Sequence, residues 1–253
     1  VVEETAGKVS QMATFQDLLR TPHDAALFEH YARAQLAVVD PAAGRAVRLG
    51  DPGLFTDVNP SPDGQYLMVQ RVKTPFSTRV PYFYFARSTE VWEAAGRFVA
   101  TIADLPVSDE VPRQGVPTGP RELAWQPLAG ATLVWVEALD GGDPVRKVPH
   151  RERVMTLAAP FAAAPREVTR LKQRFTSLDW TAREGVALVA EYDRDRRWRT
   201  TSLLDLAAPE AAKILFDLSA NDAYGDPGDP VMETRPSGET VAVQDGDAIY
   251  LAG

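Results

Sequence analysis

The sequence predicts an all-β protein made of repeated four-stranded antiparallel units, with a short helical lead-in. Three observations carry that reading. Beyond Gln35 apolar residues stop recurring at helical spacing and fall into short alternating or continuous runs, each the length of a strand. Gly, Pro, Asp and Asn bound those runs, and these are the residues that turn a chain. One hairpin pattern also returns four times, as NPSPDGQYLMV, WQPLAGATLVW, WTAREGVALVA and TRPSGETVAV, each a polar turn ending in Gly followed by an apolar strand.

Taken in order, Thr14 is placed to cap TFQDLLR, and after Thr21-Pro22 the run DAALFEHYARAQ sets Leu27, Phe28, Tyr31 and Gln35 at helical spacing. Residues 1–33 therefore read as a helical or irregular lead-in and 34–253 as β-structure. A first set of strands falls near 34–40, 45–49, 54–59 and 65–72, followed by a Pro- and aromatic-rich connection. A second lies near 88–94, 97–103, 121–126 and 131–138, and a third near 153–159, 166–171, 176–181 and 185–193. A fourth lies near 199–206, 211–217, 230–235 and 239–244, with 247–252 opening another. The turn glycines Gly64, Gly130, Gly185 and Gly238 are 66, 55 and 53 residues apart, and the sets start at a similar period.

Four-stranded units at that period are the pattern of a β-propeller, somewhat longer than common blades of roughly 40 to 50 residues. A β-sandwich with coincident turns is the competing reading. About four blades in an incomplete ring are expected, and their uncovered faces would draw copies of the chain together as a homo-oligomer. Trp125 and Trp180 precede repeat turns, and Trp92 and Trp135 alternate with polar residues, so all four are expected in the core.

Composition narrows function by exclusion. With 27 Lys and Arg against 35 Asp and Glu, the net charge is −8, the wrong sign for neutralising phosphates, so nucleic acid is not an expected partner. There is no cysteine, which removes disulfides, thiolate metal sites and cysteine nucleophiles together. No apolar run approaches the roughly 20 residues that cross a bilayer, so no membrane partner is expected. The start lacks the pattern of a signal peptide, leaving bacterial cytoplasm and periplasm equally open for a soluble protein. The chain neither begins with Met nor ends outside a strand, which points to a piece of a longer polypeptide.

Catalytic chemistry is sparse. No Ser carries Gly at both minus two and plus two, so the nucleophile elbow of an α/β-hydrolase is absent and no residue is assigned a catalytic role. Ser61 and Asp63 belong to a turn composition, SPDG. His23, His30 and His150 lack metal-binding spacing, and the acidic loops at 140–143, 226–229 and 245–247 follow no calcium pattern, so no metal is expected. No phosphate-cradling glycine loop occurs, and no cofactor is expected.

Several segments, in order, carry a resemblance: TFQDLL (14–19), PSPDGQYLMV (60–69), DLP (104–106), EALDGGD (137–143), RRWRT (196–200), ILFD (214–217) and DPG (226–228). Together they resemble the propeller region of glutamyl endopeptidases, serine peptidases of the prolyl oligopeptidase family. The resemblance implies a propeller that restricts peptide access to an α/β-hydrolase domain of the same parent protein, with the Ser, Asp and His triad outside this chain. A stand-alone propeller that scaffolds protein partners is the alternative.

Two segments are candidates for contact with a peptide substrate. In DRDRRWRT (193–200), Arg196, Arg197 and Arg199 would hold an acidic side chain if they faced a cavity, since a guanidinium meets a carboxylate as a two-pronged fork. The other reading is a solvated connection between the third and fourth sets. In TPFSTRVPYFYFAR (74–87), too long and aromatic for a plain link, Arg79 and Arg87 would rim a cavity mouth or interface.

Overall fold

In a computed structural model, residues 15–236 and 238–253 are described. The chain is all-β, a partial propeller of four-stranded antiparallel sheets preceded by one helix. It divides into two compact units, 1–120 and 121–253.

The first unit opens with helix α1 (Pro22–Ala32). Its start is fixed by a reciprocal cap, in which the Thr21 hydroxyl accepts from Asp24 N–H and the Asp24 carboxylate accepts from Thr21 N–H, with Pro22 in the first turn. The helix expected after Thr14 does not form at 15–20, where Phe15 and Leu19 instead pack against an aromatic cluster; Thr14 lies outside the described residues. Gln35, which shares the helical spacing in the sequence, is the second residue of the first strand, and its amide donates to the carbonyls of Leu36, Leu49 and Gly50. Strands β1 (Ala34–Asp40) and β2 (Arg45–Gly53) form a two-stranded ribbon. Next come β3 (Phe55–Pro60), β4 (Tyr66–Val72), β5 (Arg87–Glu93) and β6 (Phe98–Leu105), paired in sequence order as one sheet.

The ribbon lies on that sheet where glycine allows close approach. Gly50 has φ of +57°, and a Cβ there would stand 2.7 Å from the Trp92 ring. Below the sheet end, Leu54, Val72, Val80 and Phe85 are buried, with Phe28 and Phe76 packed against them. The ring of Phe28 meets Phe76 edge-on at 5.0 Å between centroids.

The second unit holds two such sheets. One comprises β7 (Arg121–Trp125), β8 (Thr132–Ala138), β9 (Glu152–Ala158) and β10 (Arg166–Leu171). The other comprises β11 (Arg174–Trp180), β12 (Val186–Asp193), β13 (Trp198–Asp205) and β14 (Lys213–Ser219). Val134, Val136 and Val154 of the former pack with Trp180, Ala187 and Val189 of the latter, a shared core in which each fully buried Val contributes about 1.5 to 3 kcal/mol. After 228 the ladders shorten: β15 (Asp229–Pro230), β16 (Met232–Thr234), β17 (Thr240–Ala242), β18 (Gln244–Asp245), β19 (Ala248–Ile249) and β20 (Leu251–Ala252) pair two by two.

The strands fall where expected, but their grouping is displaced by two. Residues 34–53 stand apart as a ribbon, and each sheet runs from the third strand of one expected set to the second of the next. The four recurring hairpins therefore join first to second strands. Their glycines, Gly64, Gly130, Gly185 and Gly238, all have positive φ, between +62° and +97°. Trp92, Trp125, Trp135 and Trp180 are buried, each at 9% exposure or less.

Candidate functional site

The displaced grouping changes what the two candidate segments are. DRDRRWRT is the β12–β13 turn inside one sheet, and residues 73–86 are the β4–β5 connection inside another; neither links two sheets. In the turn, the Asp193 carboxylate accepts the N–H groups of Asp195 and Arg196, and Arg197 takes φ of +52°. That local geometry arises from Asp and its neighbours, because a short carboxylate can cap its own turn.

The three arginines of the turn have different surroundings. Arg196 is exposed and lies over the Trp198 ring, 4.8 Å from its centroid, while the indole N–H donates to Asp217 at 2.6 Å. The Asp217 carboxyl is held below its ordinary range by the hydroxyl of Thr200 and then the indole of Trp198. Arg197 is exposed, and among the described residues its side chain makes no ion pair. Arg199 is half-buried and bound to Asp226. Arg196 and Arg197 thus retain free donors, whereas Arg199 would have to exchange Asp226 for a ligand.

The other two candidates belong to the first unit. Arg79 is exposed and pairs with Asp109 at 3.2 Å. Arg87 is half-buried, its Nε donating to the Phe85 carbonyl at 3.5 Å, and burial lowers the pKa of its guanidinium. Between them the Tyr82–Tyr84 turn leaves Tyr82 and Phe83 half exposed, at 53% and 50%. Those rings, with Phe15, Leu19, Phe28 and Val80, line a cavity of roughly 330 Å³. Ser61 takes no catalytic geometry: its hydroxyl donates to Asp63 at 2.6 Å and accepts from Tyr66 N–H, tying the turn.

The largest charged assembly was not among the sequence candidates. Asp140 and Glu152 are both fully buried. Asp140 accepts from Arg151 at 2.8 Å, from Arg174 at 2.5 Å and from Gly142 N–H at 3.0 Å. Glu152 accepts from Arg174 at 2.5 Å and from Arg121. Arg174 is the first residue of β11, so it carries charge from one sheet into carboxylates of the preceding one. Three guanidiniums and two carboxylates leave one excess positive charge, which good geometry must stabilise in a place of low water access. A charged residue opening or closing an apolar strand, such as Glu152 before RVMTLA, is the sequence signal that could have found it. Among the described residues no group of three or more potential metal ligands occurs. No helix in them is long and apolar enough to cross a membrane.

No protein-family model matches the chain. Against curated proteins, it is 36% identical over 238 residues to a probable chloroplastic glutamyl endopeptidase of Oryza sativa subsp. japonica, and 37% identical over 238 residues to that of Arabidopsis thaliana. The alignments cover 92% of this chain. The chain is a homologue of one region of these peptidases. It spans about a quarter of their length, 25% and 24% respectively. Among solved structures, an oligogalacturonate lyase is similar with a TM-score of 0.48 and 13% identity, covering 74% of this chain and 48% of that one. A putative dipeptidyl aminopeptidase IV from Bacteroides ovatus is similar with a TM-score of 0.36 and 12% identity, over 79% of this chain and 34% of that one.

Proposed function

We propose that this chain is a noncatalytic propeller segment of a serine-type endopeptidase of the prolyl oligopeptidase family, and that it filters peptides on their way to an α/β-hydrolase domain elsewhere in the same polypeptide. The observation that carries the reading is its identity of 36–37%, across nearly its whole length, to proteins named glutamyl endopeptidases of which it spans only a quarter. The missing Gly-x-Ser-x-Gly elbow supports the noncatalytic part, because an acyl-transfer serine needs that sharp turn to present its hydroxyl.

Selection for acidic peptides would use guanidinium donors, and the β12–β13 turn supplies them. Arg196 is preorganised by Trp198, so little rotamer freedom is lost on binding. Arg197 keeps its fork free, and Arg199 would release Asp226. A charge-assisted pair of this kind contributes about 1.5 to 3 kcal/mol, roughly a 10- to 150-fold preference.

The test is to change Arg196, Arg197 and Arg199 singly to Met in the full-length peptidase and to measure kcat/KM for a glutamyl and a neutral substrate. A fall for the glutamyl substrate alone supports the filter. Equal ratios in all three variants would place acidic selection outside this turn.

A further inference from the structure

The ribbon of β1 and β2 is half of what the fold builds elsewhere. Each of the three large sheets has four strands paired in sequence order, and β1–β2 precedes β3 as the third and fourth strands of a sheet precede the next one. Among the described residues no strand pairs with the other edge of β1. Its sequence, AQLAVVD, carries no Lys and no Pro to blunt a free edge, and the ribbon's one register shift lies at its start, between Ala34 and Leu36. Val38 and Val47, paired across the ribbon, point to one face and Val39 to the other, and all three are half exposed or more, at 50%, 55% and 61%. A ribbon apolar on both faces suits a place between two sheets.

Beside the ribbon lies a cleft of roughly 490 Å³ whose walls include Gly53, Arg71, Ser88 and Glu90. Arg71 rests over the Phe55 ring, 5.7 Å from its centroid, and lies so close to Gly53 that a Cβ there would stand 3.1 Å from the guanidinium. It forms a loose ion pair with Glu90 at 3.7 Å, a carboxylate that already accepts from the Ser88 hydroxyl and the Trp92 indole, each at 2.9 Å. Among the described residues the Arg71 fork makes no hydrogen bond. The cleft's other cations, Arg33 and Lys73, are paired with Glu29 and Asp104.

The second unit displays what such an arginine does when the preceding sheet is complete. Arg174, at the start of β11, reaches the preceding sheet and meets Asp140 and Glu152 there. We propose that β1–β2 is the outer half of a sheet whose first two strands come from another segment of the longer polypeptide, adding antiparallel to the free edge of β1 and bringing a carboxylate to Arg71. The occupant is set by backbone and charge together: an edge with no strand on it among the described residues, and a held guanidinium whose ion pair with Glu90 leaves its fork without a hydrogen bond. This rests on the reading of the chain as part of a larger peptidase.

The test compares the 253-residue chain with the longer polypeptide. A Val38→Cys variant is labelled with a thiol reagent and mapped by mass spectrometry, alongside amide hydrogen exchange over 34–40. Labelling at least ten times slower in the longer polypeptide is expected. Arg71→Met should return most of that reactivity there, Arg71→Lys only part of it, and neither should alter the 253-residue chain. Equal labelling in both lengths, indifference to Arg71→Met, or concentration-dependent protection of the short chain by a second copy would each overturn the proposal. Protection in a longer polypeptide that lacks peptidase activity would overturn the functional reading and leave this one standing.

Discussion

Glu152 has no access to solvent, and its two oxygens are met by two different guanidiniums, those of Arg121 and Arg174. Removing its charge strands Arg121 in a poorly hydrated place and leaves Arg174 with Asp140 alone. Glu152→Gln should therefore destabilise the fold by about 3 to 5 kcal/mol, read as a lower denaturation midpoint in urea. Glu93→Gln, which breaks the well-exposed pair with Arg97, should change stability by less than about 1 kcal/mol. Glu191 illustrates the opposite balance. Burial pushes its carboxyl above the ordinary value of 4.5, although the N–H groups of Gln173 and Lys172 oppose the shift. Between that ordinary value and the raised one, the folded chain holds a proton that the unfolded chain has lost. Stability contributed by Glu191 thus falls as pH rises through this window, and stays lower above it. Glu191→Gln should flatten that part of the curve and raise stability at neutral pH relative to the parent, measured by urea midpoints across the range.

At the scale of elements, the strands were legible because each has its own local signal: an apolar run, a turn residue at either end, and often a positive-φ glycine. The grouping was not, because the turn inside a sheet and the link between sheets use the same residues. DRDRRWRT and the aromatic stretch after Thr74 are both longer or more charged than a tight hairpin, yet each joins neighbouring strands of one sheet, whereas Lys172 and Gln173 alone separate β10 from β11. Only pairing reveals that phase. The helix shows a related limit. In the sequence the run after Thr21-Pro22 reads as helical without a cap, since a capping box with Asp rather than Glu at the third position reads weakly. Thr21→Ala should cost about 1 kcal/mol of stability, visible as a lower melting temperature of the first unit. Gly50→Ala should cost more than the same change at Gly44: both have positive φ, but a Cβ at Gly50 would meet the Trp92 ring, while nothing lies within 4 Å of a Cβ at Gly44.

For the whole molecule, the sequence made the β-repeat and the peptidase resemblance readable, and the candidate arginines were found by type and not by neighbours. Their differing freedom came only from geometry, since Trp198 and Asp226 reach Arg196 and Arg199 through side-chain directions that spacing does not encode. The buried five-residue ion cluster was missed for a similar reason: its members are spread from 121 to 174 and converge only when two sheets meet. On the proposed reading, the purified 253-residue chain should release no product from a glutamyl peptide substrate; turnover that survives rigorous removal of contaminating protease would defeat it.

Every large sheet here is assembled from strands adjacent in sequence, paired one after another without a crossover. Such locality keeps the loops that must close during folding short, so the loss of chain entropy before each sheet is rewarded is small. Each sheet can therefore form while later residues are still emerging from the ribosome, in the order they are made. Unfolding should run as separable steps rather than one, with the fluorescence of Trp92 reporting on the first unit and that of Trp135 and Trp180 on the second. Under this scheme a kinetic trace carrying a single phase at all three positions would mean that neither unit holds together without the other.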